Sequence, residues 1–155
     1  MLEVVKYMIM VEKIGVSGFK RKHCLAPLIV YIFSLFYLAV LRRGIVEHSY
    51  FRFNLFQCYF KPSDIIIKDI IVNIACFIPL GLLVGLVSNR FRIPRALLVG
   101  LLVSLTIEFS QLIWMRGIFD MNDIFNNTIG AAIGGFLAVL IMKIRQSRKH
   151  SRTYG

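Results

Sequence analysis

The sequence predicts an all-α, polytopic membrane protein: a bundle of four transmembrane helices with both termini in the cytoplasm. Three observations carry that prediction. The 155 residues are 57% hydrophobic with a mean hydropathy of +0.71, whereas a water-soluble domain is nearer about 45–50% apolar. Four apolar runs of 17 to 20 residues, Leu25–Leu41, Ile70–Val87, Ala96–Met115 and Ile124–Met142, each match the hydrocarbon thickness of a bilayer at about 1.5 Å of rise per residue. All 19 Lys and Arg lie outside these runs, thirteen in alternate segments (before the first run, between the second and third, after the fourth) and six in the other two connections. Positive charge stays in the cytoplasm, which places both ends inside. The net charge of +11 then meets anionic lipid headgroups, and no nucleic-acid partner is expected.

Residues 1–24 form a basic segment with loosely alternating apolar and charged residues, which suits either an amphipathic surface helix or a poorly ordered one. The first run starts too late for an ordinary signal peptide and is expected to persist as a plain structural helix, with Pro27 in its first turn, where a missing N–H is harmless. The connection Arg42–Asp69 carries Tyr50, Phe51, Phe53, Phe56, Tyr59 and Phe60. Aromatic rings beside Arg and Lys favour the headgroup level, so interfacial anchoring is expected; a lid over polar groups is the alternative.

The second helix contains Asn73, Pro79, Gly81 and Gly85. Pro79 frees the Ala75 carbonyl and predicts a kink, while two glycines four apart let a neighbour approach closely. Gly130, Gly134 and Gly135 give the fourth helix a similar strip, so the two small faces are expected to pack together or against the third helix. The membrane domain spans 25–142, and the basic cytoplasmic tail 143–155 is expected to be disordered. No internal repeat is evident. Cys24, Cys58 and Cys76 make neither a metal pattern nor an even disulfide set; Cys76 is expected to serve packing, and no cofactor is expected.

The informative stretch is Ile107-Glu108-Phe109-Ser110-Gln111-Leu112, followed by Arg116, Asp120, Asp123, Asn126 and Asn127. A charge near the middle of a spanning helix costs on the order of 3 kcal/mol, so Glu108 needs a reason to be there. It is expected about 10 Å below the outer end of its helix, with Gln111 one turn higher on the same face. Arg116 falls near the mouth, and Asp123 and Asn127 share a face of the fourth helix. A turn this short makes the two helices antiparallel neighbours, so these side chains converge on an outward-opening polar pocket that Asn73 can join. Duller roles stand beside these. Asp123 or Asn122 can cap the fourth helix, Asp120 can form a surface pair with Arg116, and Asn126 and Asn127 can simply bond across helices. Ser110 and Thr106 are expected to bond back to their own helix. Glu108 itself can be structural, held by Arg116 or an asparagine.

These residues carry a resemblance. Asn73-Ile-Ala-Cys-Phe-Ile-Pro-Leu-Gly81, Glu108-Phe-Ser-Gln111 and Asp120-Met-Asn-Asp123-Ile-Phe-Asn126-Asn127-Thr-Ile-Gly130 resemble the VanZ-like family over roughly residues 25–142. These are small bacterial membrane proteins named for a member that contributes to teicoplanin resistance. The family's shared polar positions fall on Asn73, Glu108, Gln111, Asp120, Asp123 and Asn127. Arg52-Phe-Asn54-Leu-Phe-Gln lacks the proline of the family's Asn-Leu-x-Pro-Phe element, so the outer loop is expected to differ in shape.

The resemblance implies a cell-envelope role in the bacterial membrane without a settled reaction. The leading expectation is an outward acidic pocket that takes membrane lipid or a lipid-linked or amphipathic envelope ligand and lowers sensitivity to glycopeptides such as teicoplanin. Glu108 would be its acid or base, Gln111 and Asn127 its orienters, Asp120 and Asp123 its rim, and Asn73, Arg116 and Asn126 further ligand contacts. One alternative is an intramembrane enzyme modifying a lipid-linked headgroup, with any metal held by Asp120, Asp123 and Glu108. Another is a small proton-coupled exporter.

Overall fold

A computed structural model describes residues 22–53, 60, 63–88 and 91–154. The expectation for the N-terminal segment therefore lies almost wholly outside the described residues, as do those for Asn54, Phe56, Cys58 and Tyr59. Helix α1 covers Lys22–Phe36 and continues as a π-helical turn over Tyr37–Leu41. A two-residue strand β1 follows at Phe51–Arg52, then α2 at Asp64–Val87, α3 at Arg92–Ile113, β2 at Phe119–Asp120 and α4 at Met121–Tyr154. Four stretches, His23–Leu41, Asp64–Val87, Arg92–Ile113 and Met121–Arg145, are long and apolar enough to cross a membrane. Their outer faces carry exposed Phe33, Ile71 and Ile113, a surface suited to lipid rather than water.

Helix ends depart from the apolar runs because capping and charge, not hydropathy, set them. α2 begins six residues before Ile70, where the Ser63 hydroxyl accepts from Ile66 N and Asp64 sits in the positive first turn. α1 begins before Leu25, so Pro27 lies inside it rather than in its first turn. α2 runs unbroken through Pro79. The tail past Met142, expected to be disordered, extends α4 to Tyr154. Its Lys, Arg and Gln are good helix formers, and adding residues to an existing helix needs no new nucleus.

The centre of the bundle is the seam between α2 and α4. A Cβ on Gly81 would fall on the Ala131 carbonyl, and one on Gly134 on the Ile78 carbonyl. Only glycine lets these backbones lie so close, so the two small faces do pack together. The third helix joins through Gly100, where an added Cβ would collide with the Ala131 side chain. Leu80, Val84, Ala96 and Ala131 fill the core around these crossings. α1 flanks α2, and its Tyr31 hydroxyl donates to the Cys76 carbonyl at 2.7 Å.

Candidate functional site

The site is assembled where α3 ends. Met115 N donates to the Leu112 carbonyl at 3.3 Å and Arg116 N to the Gln111 carbonyl at 2.8 Å, the paired bonds of a Schellman ending. Its left-handed position is Met115, at φ 51, where a glycine is usual. Met115 is kept there partly by its carbonyl, which accepts from Val46 N at 2.7 Å. The helix therefore stops at Ile113 rather than Met115, and Glu108 lies five residues from its end, about 7 Å deep instead of 10.

The chain leaving α1 is laid alongside this ending. Arg43 donates to Gln111 Oε1 at 3.3 Å, the Ser49 hydroxyl to the Gly117 carbonyl at 2.9 Å, and Arg52 to Asp120 Oδ2 at 3.0 Å, each pair 68 residues apart. The same register makes β1 and β2 a parallel pair, Phe51 opposite Phe119 and Arg52 opposite Asp120. α1 and α3 run the same way, so the segments that follow them lie parallel. Gln111 Nε2 donates to the Ala39 carbonyl at 3.0 Å, and Arg116 donates to the Leu41 and Arg43 carbonyls at 2.8 and 2.6 Å. These bonds satisfy carbonyls that a π-turn and a helix end leave without partners. Arg116, expected near the pocket mouth with a surface pair to Asp120 as the duller alternative, ties down α1 instead, and Arg52 is the partner of Asp120.

Asp120 is the hub. Its backbone N–H donates to Glu108 Oε2 at 2.8 Å, and its Oδ1 accepts from the N–H of Asn122 at 2.9 Å and from the Asn122 amide at 3.0 Å. Asp120 therefore caps α4, the role that the duller reading gave to Asp123 or Asn122. A hydrogen bond with Tyr50 raises the Arg52 pKa most, and with the Asp120 charge it outweighs the opposing pull of burial. The guanidinium therefore stays charged beside its partner.

In the first turn of α4, Asp123 Oδ1 accepts from the Asn73 amide at 2.7 Å, which brings α2 into the cluster. A further turn in, Asn127 Nδ2 donates to Ser104 Oγ at 2.8 Å, bonding α4 to α3. Glu108, Gln111 and Asn126 are 2% exposed, Asn127 4% and Asp120 8%. These five lie together and closed off from solvent, whereas Asn73, Asp123 and Arg116 are half-buried and Arg116 is turned to the end of α1. Phe119, itself buried, lies against Phe51, Phe53 and Phe109 at centroid distances of 5.0, 6.2 and 5.0 Å. Part of the aromatic loop, Phe51 and Phe53, therefore packs on the ring next to Asp120 while staying largely exposed. Thr106 and Ser110 bond back to the Leu102 and Thr106 carbonyls, as expected.

Sequence reasoning missed Arg43, Arg52 and Ser104. Both arginines passed as topology charges, and a lone serine in an apolar run carries no signal. Among the described residues no group of three His, Cys, Asp or Glu side chains is arranged to hold a metal ion. Asp120 has both carboxylate oxygens engaged, by Asn122 and Arg52, which argues against the metal set Asp120, Asp123 and Glu108.

Residues 25–142 match the family model described as VanZ/LLP1. Protein VanZ of Enterococcus faecium is 32% identical over 85 residues, 55% of this chain and 53% of that protein. The match thus spans about half the length of this curated relative. No solved structure matches the chain.

Proposed function

The chain belongs to the VanZ/LLP1 family of multi-pass bacterial membrane proteins, and from that premise we propose that it acts on the cell envelope. It binds an amphipathic or lipid-linked envelope ligand at the Glu108 cluster and lowers sensitivity to teicoplanin and related glycopeptides. The observation that carries this is Glu108 itself: a carboxyl 2% exposed, inside a span, whose described bond is to the Asp120 N–H rather than to an arginine. An ionisable group at that depth marks function by default. The thirteen-to-six charge asymmetry supports this end of the bundle being at the outer leaflet, where glycopeptides and lipid-linked wall precursors are found.

The test is expression in a teicoplanin-susceptible host, comparing wild type with Glu108→Gln and Asp123→Asn at equal membrane abundance. Wild type should raise the inhibitory concentration at least fourfold, and both variants should abolish the rise. A host protected equally by all three would end the proposal. The enzyme alternative is supported less, since the oxygens a metal would need are engaged within the protein.

A further inference from the structure

We propose that the inner half of the cluster is a hydrogen-bond donor site, in which Asp123 and Asn127 Oδ1 receive an ammonium or hydroxyl group of the ligand's headgroup rather than its phosphate. This rests on the cluster being the ligand site and adds the chemistry it selects.

Among the described residues Asn127 Oδ1 is buried without a hydrogen-bond partner, on a side chain 4% exposed. A buried orphan acceptor costs about 1–3 kcal/mol, and within a bilayer no solvent relieves it. Ser104, fully buried, takes the Asn127 amide N–H on its Oγ at 2.8 Å, so Oδ1 is the amide atom left to a ligand.

Asp123 lies one turn earlier on the same face of α4. It is half-buried, with Oδ1 on Asn73. The neighbouring arginines are turned to protein acceptors: Arg52 to Asp120, Arg43 to Gln111, Arg116 to two carbonyls. A phosphate brought here meets the Asp123 carboxylate and Asn127 Oδ1, both acceptors, and the Asn73 amide N–H is already given to Asp123. An ammonium or hydroxyl finds in the same atoms the acceptors it needs and gives Asn127 Oδ1 a donor.

The full chain, reconstituted in nanodiscs of phosphatidylcholine, whose headgroup has no donor, is compared with discs carrying one fifth phosphatidylethanolamine (ammonium) or phosphatidylglycerol (hydroxyls). Thermal unfolding is followed by Trp114 fluorescence. One donor-bearing lipid should raise Tm by about 3 °C. Asn127→Leu, of similar size but without an acceptor, should lose that rise. Asn127→Asp keeps the acceptor and adds charge. It should enlarge an ammonium-dependent rise and leave a hydroxyl-dependent one unchanged, and it stands in if the Leu variant does not fold. Equal Tm in all three bilayers, or a rise that survives Asn127→Leu, overturns the donor site. A rise without teicoplanin protection keeps the donor site and removes the proposed function; protection without a rise does the reverse.

Discussion

The seam between α2 and α4 and the clasp between residues 43–52 and 111–120 hold the same bundle by opposite means. At the seam, backbone lies on backbone: Gly81 against the Ala131 carbonyl, Gly134 against the Ile78 carbonyl. No side-chain chemistry is involved, and nothing there can move without losing close packing. At the clasp, contact is made by arginines, amides and carboxylates in a single register, with aromatic rings stacked outside. Such bonds can open and re-form without unfolding the helices beneath them. α4 adjoins both, with packing from Gly130 inward and the polar groups Asn122, Asp123, Asn126 and Asn127 in its first turns beside the clasp. The difference teaches that close backbone packing and polar side-chain chemistry are divided along the length of one helix.

Substitutions at each region can break that division. The largest effect is expected at the seam: Gly134→Leu drives a side chain into the α2 backbone, an overpacking cost above about 3 kcal/mol. Loss of folded protein from the membrane fraction would show it, and normal accumulation would mean that the seam is not the core. Next is Asp120→Ala, which removes the α4 cap and the partner of Arg52, a loss of about 1–2 kcal/mol. That should appear as a lower Tm with the protein still inserted. Locking the clasp comes third. Cysteines at Ser49 and Gly117, in a variant without Cys24, Cys58 and Cys76, should leave Tm intact when oxidised while suppressing teicoplanin protection, and protection should return on reduction. A crosslinked protein that still protects would make the clasp as static as the seam. The smallest effect is at Met115, where glycine relieves left-handed strain of about 1 kcal/mol and should raise Tm by a few degrees.

The sequence made the seam legible because its signal is local: small residues four apart on each of two helices show a close-packing face without knowledge of the partner. The four spans were legible for the same reason. Glu108, Asp123 and Asn127 stood out as polar atoms in an apolar setting. Arg43 and Arg52 did not, since their partners lie 68 residues away and an arginine after a spanning helix already has an explanation in topology. Asp120 was misassigned because three candidate caps sit within four residues, and only the backbone shows whose oxygen meets Asn122 N. The end of α3 was misplaced because a methionine occupies the position where glycine would have marked it.

The central claim is that the buried carboxyl of Glu108 is there for function and not for the fold. Glu108→Gln tests it most directly, because the amide oxygen can still accept from Asp120 N while the acid is lost. Teicoplanin inhibitory concentration and Tm are measured on the same preparation at matched expression. The expected result is a Tm within about 2 °C of wild type with protection abolished. Full protection, or a protection loss matched by a collapse in Tm, would contradict it and make Glu108 a structural residue.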